Sequence, residues 1–318
     1  MRPIARAPGT RTMLRRVLLG LVAFPAAACA KQTDTTITVR PDARVQVQNF
    51  AGSITVRGWD RNAVRVVATR GRRDEVRITG NESALSIATV ARTGASAPLD
   101  YEITVPSGAA LDVGGTYTTI AIDGVRGPVS ANTVQGGVSL RGGDGVISLK
   151  SVEGVVSVRD ARGRIEVIGV NRGLDLRDVR GDIVAETVNG SIVLEDIESS
   201  DVEAVTVNGR VSYDGAIADR GRYRFATHTG TIVVSIPEGV NATIAAVTYE
   251  GNVSSKFAVP VLASGGNAGV QRRASFTLGT GSAKVEVESF QGSIQFARPG
   301  DPSFGDPNRT PRSRHPER

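Results

Sequence analysis

Two stretches of the chain, TVNGSIVLED (Thr187 to Asp196) and TVNGRVSYDG (Thr206 to Gly215), say nearly the same thing nineteen residues apart. Stepping back in nines from Val188, Gly190, Ile192 and Leu194 gives Val179, Gly181, Ile183 and Ala185, then Val170, Arg172, Leu174 and Leu176. The same step continues through Ala161, Gly163, Ile165 and Val167, through Val152, Gly154, Val156 and Val158, and through Gly143, Gly145, Ile147 and Leu149. It ends at Val134, Gly136, Val138 and Leu140. Seven units run without a gap, and one added residue near Ser199 shifts the frame before Val207, Gly209, Val211 and Tyr213 resume it. The quoted coincidence is therefore two nines plus one.

Within each unit the marked residues alternate, which places them on one buried face of a strand. The recurrent glycine marks a bend or an approach too close for a side chain. Nine positions hold four or five extended residues and a short turn. Such a unit has no core of its own and must stack on its neighbours. On the polar side Arg141, Arg159 and Arg177 recur at eighteen, as do Asp160, Asp178 and Asp196, and Arg162 and Arg180. Nine residues from the first arginine set stand Lys150, Ile168 and Glu186 instead. The expectation is an all-β parallel β-solenoid, a β-helix-like stack of nine-residue strand units, two per coil.

Gly is abundant at 37 residues and aromatics make only 4 % of the 318, which suits strands and tight turns better than packed helices. The flanks carry looser strand signals: NFAGSITVRGW (Asn49 to Trp59), ITVPSG (Ile103 to Gly108), VSIPEG (Val234 to Gly239) and FQGSIQF (Phe290 to Phe296). The organisation read from this is an export signal over 1–29, N-terminal strands or cap over 30–115 and the regular repeat over 116–215. Irregular strands or cap follow over 216–297, and a disordered Pro-rich tail over 298–318.

The formal charge of +6 has a local origin, because residues 1–28 hold five arginines and no acidic residue. Without them basic residues exceed acidic ones by one, so nucleic acid is a poor partner for this chain. Arg15 and Arg16, the apolar Val17 to Phe24 and the small Ala26-Ala27-Ala28 have the parts of an export signal, with Met13 as an alternative start. The apolar run is too short for a permanent membrane span. Cys29, the only cysteine, follows those alanines as it would in a lipoprotein signal, with Ala26 where Leu is usual. Acylation of Cys29 and ordinary cleavage nearby are both open. Either places the protein in the bacterial cell envelope as an exported chain, and acylation makes it an outer-membrane or periplasmic lipoprotein whose only membrane contact is the lipid. One cysteine excludes an intramolecular disulfide.

NFAGSITVRGW, the YEITVPSG strand end (Tyr101 to Gly108) and the run of V-x-G-x-[IV]-x-[VL] units together resemble the bacterial family named "putative adhesin", domain of unknown function 4097. The resemblance spans roughly Thr36 to Phe296. It implies an envelope-associated β-strand repeat protein with an adhesive or binding role, and it brings no catalytic residues.

The chemistry-bearing patterns are sparse. The calcium-binding nonapeptide would need Asp where Val138, Ile147, Val156, Ile165, Ile183 and Ile192 stand. His228 and His315 are the only histidines and have no partners at ligand or triad spacing. No metal, cofactor or catalytic residue is therefore expected. Asp160 and Asp178, flanked by Arg141, Arg159 and Arg177, form a strip with three readings: a solvated edge, a binding strip for glycan or protein, or an acid pair for glycoside cleavage. The function expected is a non-catalytic envelope protein presenting a surface to glycan or protein. A polysaccharide-cleaving β-helix enzyme and a structural spacer with no specific ligand are the alternatives. No pattern sets an oligomeric state.

Overall fold

Alternation of apolar and polar residues between closely spaced bends builds a sheet that turns back on itself. The computed structural model describes residues 31–70, 74–91, 98–259, 262–264 and 272–304. Export-signal residues and Cys29 lie outside them, as does His315.

Seven parallel strands form the centre: Ala110–Asp123, Val129–Gln135, Val138–Arg141, Asp144–Ser151, Val156–Arg159, Arg162–Gly169 and Leu174–Arg180. Ala110–Asp123 pairs with Val129–Gln135, which pairs with Asp144–Ser151, which pairs with Arg162–Gly169. One bridge, Arg162 opposite Arg180, passes to Leu174–Arg180. The ring returns through Val156–Arg159 and Val138–Arg141 to Ala110–Asp123.

This closure corrects the fold class expected from the repeat. The chain is all-β, but its core is a closed barrel of seven parallel strands with peripheral sheets, not an open β-solenoid or β-helix-like stack of two-unit coils. The physical reason lies in Ala110–Asp123. Its first half, Leu111 to Tyr117, pairs with one neighbour, and its last residues, Ile120 to Asp123, pair with another. One bent strand thus joins both sides, and all the described strands belong to one continuous sheet.

Inside the ring the apolar residues interdigitate. Val138, Leu140, Ile147, Leu149, Val156, Val158, Ile165, Val167, Leu174 and Leu176 are each at most 2 % exposed. Burying each such side chain stabilises the fold by about 1.5–3 kcal/mol before the entropy of ordering is counted. Along a ladder, partners stand eighteen residues apart, as with Val138, Val156 and Leu174. The six calcium-motif positions are filled by this hydrocarbon.

Further parallel strands extend both sides of the ring through Ile183–Asn189, Ile192–Glu198, Asp201–Asn208, Val211–Gly215, Arg222–Thr229, Ile232–Ser235, Ala283–Gln291 and Ile294–Ala297, ending at Ala242–Glu250 and Val253–Ser255. Antiparallel pairs occupy the margins: Lys31–Thr38 with Ala63–Arg70, Asp74–Gly80 with Ala84–Ala91, and Ala242–Glu250 with Arg272–Leu278. Such pairs cover ladder ends that would otherwise offer unpaired backbone groups. The region read as a tail is ordered at its start. Phe304 is 7 % exposed against Val233 and Ala297, and the Ser212 hydroxyl donates to its carbonyl over 3.2 Å. Residues 305–318 lie outside the described set. Among the described residues no helix is long and apolar enough to cross a membrane.

Candidate functional site

The bends fall on two corners, each with its own chemistry. At the first, Asp160, Asp178 and Asp196 hold φ of 55°, 53° and 56°. This left-handed conformation is tolerated by Asp more readily than by most side chains. The three stand on successive rungs beside Arg141, Arg159 and Arg177, which are themselves in register. The structure places these residues side by side and shows how their charges are answered.

Arg141 reaches Asp160 at 3.3 Å, and Arg159 reaches Asp175 at 3.7 Å. Arg177, with its side chain only 14 % exposed, holds Asp175 at 2.7 Å and also Glu195. Arg180 holds Glu198 at 3.0 Å. Arg141, Arg159 and Arg177 thus each have a carboxylate, which offsets the like-charge repulsion between adjacent strands. A groove of about 900 Å³ runs beside these corners, lined by Asp160, Asp178, Asp196 and Asp214 together with Arg162 and Arg180. Burial raises the Asp196 carboxyl above the ordinary carboxylate range, and the neighbouring Asp178, Glu195 and Asp214 add to the rise. Among the described residues no group of three or more His, Cys, Asp or Glu side chains is placed to hold a metal.

The second corner carries the T-V-N-G motif and explains it residue by residue. The threonine is inside. Thr133, Thr187, Thr206 and Thr227 are at most 5 % exposed. Thr206 Oγ1 donates to the Gly190 carbonyl at 2.9 Å, and Thr227 Oγ1 to that of Gly209 at 3.1 Å. Glycine is required for close approach, since a Cβ on Gly209 would fall 2.0 Å from the Gly190 carbonyl oxygen.

The valine between them is outside, which corrects the inward assignment made from alternation. Val134, Val152, Val188 and Val207 are 47 %, 37 %, 41 % and 42 % exposed. The chain turns between the Thr and the Gly, so period two fails for one residue. At the other corner the nine-residue equivalents Ala161 and Val179 are fully buried. Sequence reasoning missed this surface because the exposed valine stays in phase with the buried ones. The available signal was the polar pair around it, Thr before and Asn after.

Register places these valines in one line. Phe50 stands beside Thr116, followed by Val134, Val152, Val170, Val188, Val207, His228, Phe290 and Tyr249. Rings cluster at both ends. Phe50 meets Tyr117 edge to face at 5.4 Å, His228 stacks on Phe290 at 4.8 Å, and Tyr249 lies 5.2 Å from Phe290. His228 is thus a member of this ridge. Tyr213 and Tyr223 are buried, their hydroxyls donating to the carbonyls of Ala216 and Ser199.

Beside the ridge runs a polar column. Asn171 Nδ2 donates to Glu153, Asn189 Nδ2 to Asn171 at 3.2 Å, and Asn208 Nδ2 to Asn189 at 2.9 Å. Farther along, Gln291 donates to Glu250 at 3.0 Å. Each amide uses one N–H on its neighbour and retains a second.

No family model and no curated protein matches the chain. Among solved structures, it is similar to a "putative cell adhesion protein" from Clostridium sporogenes at 10 % identity, covering 84 % of this chain and 100 % of that one with a TM-score of 0.23. A "putative adhesin" from Parabacteroides distasonis gives 12 %, 84 %, 98 % and 0.29, and one from Bacteroides fragilis gives 9 %, 84 %, 97 % and 0.30.

Proposed function

We propose that the chain is a non-catalytic binding protein of the bacterial cell envelope, and that it binds glycan or protein through the T-V-N-G corner. The observation that carries this reading is the line from Phe50 to Tyr249, where Val134, Val152, Val188 and Val207 are exposed, Thr116 and Val170 are half-buried, and aromatic rings stand at both ends. The largest apolar patch on a typical soluble protein is about 300–600 Å² and is often the functional one. The location rests on the export-type segment of residues 1–29.

The charged corner is the competing surface. Its arginines are engaged by carboxylates, so an anionic ligand would have to displace ion pairs already formed.

The test is capture of separated envelope fractions by the full chain, by a variant carrying Val152→Lys and Val188→Lys, and by one carrying Arg141→Glu, Arg159→Glu and Arg177→Glu. Capture lost only with the lysine variant supports the ridge. Capture lost only with the glutamate variant moves the site to the charged strip, and capture by none of the three leaves a spacer.

A further inference from the structure

We infer that the ligand of the ridge is an extended, uncharged polysaccharide laid lengthwise along it, an inference that rests on the binding role just proposed. Three features of the corner select this chemistry.

The first is size. Ten rungs at about 4.8 Å give a ridge about 43 Å long and one side chain wide, roughly 400 Å². A stable protein interface needs about 800 Å² from each partner. A globular partner or a second copy of the chain would find too little area, while a slender polymer would cover all of it.

The second is the state of the main chain. Glu153 N–H donates to the Val134 carbonyl, Asn171 N–H to Val152 and Asn189 N–H to Val170. The ladder groups at the corner are consumed, so an extended peptide cannot dock there by adding a strand. What remains to recognise a polymer is side chain only.

The third is the pairing of surfaces. Methyl groups and ring edges line one side, suited to the C–H face of a sugar ring. Asn171, Asn189, Asn208 and Gln291 line the other, with N–H groups able to meet hydroxyls. Charged residues of both signs flank the ridge, Lys150, Arg172 and Arg210 against Glu153, Glu186, Glu250 and Glu288, so the strip carries no large excess of either sign. Amide rungs recur at about 4.8 Å, of the same order as the advance per sugar in an extended chain.

The experiment is affinity electrophoresis of the full chain in gels containing glucomannan or xyloglucan as uncharged probes and polygalacturonate as the charged one. A Val152→Ser, Val188→Ser, Val207→Ser variant and Asp178→Asn run beside it, each checked for native folding by circular dichroism. The expected result is retardation by an uncharged probe, weakened about tenfold or more in the serine variant and unchanged in Asp178→Asn. It should persist between about 0.05 and 0.3 M salt, where exposed ion pairs are screened. Oligosaccharides of increasing length should gain affinity up to about nine or ten sugars and no further, matching ten rungs.

No retardation by either uncharged probe, with envelope capture still lost in the lysine variant, would overturn the glycan inference and leave the binding role intact. Retardation by polygalacturonate alone, abolished by salt, would overturn it in favour of the charged corner. A dimer in sedimentation velocity that the serine variant abolishes would show a second copy on the ridge, and would overturn it too.

Discussion

Val155 and Val156 are neighbours in sequence and opposites in environment, one 50 % exposed and the other fully buried between Val138 and Leu174. Val156→Asp would remove a side chain whose burial is worth about 1.5–3 kcal/mol. It would also put a carboxyl where no donor reaches it. A buried carboxyl escapes ionisation by a pKa raised up to 3–5 units, each unit costing about 1.4 kcal/mol at neutral pH. The total expected near pH 7 is at least about 5 kcal/mol, comparable with the whole stability of many domains. The sign of the pH dependence follows from the raised folded-state value. Below its unfolded pKa the carboxyl is protonated in both states and adds no ionisation cost, leaving only the packing and polar-burial cost, and further stability is lost as pH rises towards the folded value. Val155→Asp should stay within about 0.5 kcal/mol of the parent at every pH. Urea unfolding of both variants at about pH 4.5 and 7.5 reads the difference as a shift in midpoint. Equal midpoints for the two variants, or a Val156→Asp deficit that does not grow with pH, would refute the inward assignment and its energetics.

Other substitutions test other parts. Thr206→Val should cost about 1 kcal/mol by urea unfolding, because the Gly190 carbonyl loses its donor while the shape is kept; an unchanged midpoint would mean the hydroxyl is not part of the corner. Gly209→Ala should destabilise by about 1–3 kcal/mol through its collision with that same carbonyl, and a neutral result would show that the rungs are farther apart than described. Asp178→Asn should move the Asp196 carboxyl titration downward in carbon-detected NMR and leave it above the ordinary range, since burial remains. Asp196 ionisation opposes folding as pH rises through its raised value, so this variant should be slightly more stable near neutrality, and a titration that does not move would remove Asp178 as a cause. Phe304→Ala should lower stability by about 2 kcal/mol if the segment after Ala297 packs as described; an unchanged thermal midpoint would make it a loose end.

Much of the interior was legible because period two is a direct record of which face is buried. Ile147, Val156, Ile165 and Ile183 lie inward as their spacing requires. Closure was not legible. It depends on Ala110–Asp123 reaching both ladders and on a bridge between Arg162 and Arg180, and neither feature repeats. Periodicity reports only what recurs, so a join made once leaves no trace in it. The arginine and aspartate columns were legible from their eighteen-residue spacing, yet most of their ion pairs were not, since Asp175 sits off that count and Glu195, eighteen residues after Arg177, changes the sign of the column. The ridge was hidden for a different reason. A valine is written the same way whether it points in or out, and only Thr187 and Asn189 around Val188 betray the turn. Phe304 was hidden by composition, one apolar residue in a stretch of Pro and Gly.

The register between Ile183 and Val202 has an evolutionary consequence. Excision of residues 183–201 would set Val202 where Ile183 stands, returning inward residues to inward places and each corner to its own side. Half that excision would exchange the corners, bringing acidic turns under the threonines. Gain or loss of this one segment, whose strands Ile183–Asn189 and Ile192–Glu198 lie outside the closed ring, therefore leaves the ring intact and is audible only as a longer or shorter ridge. Reach becomes a heritable quantity that can change without inventing a new contact.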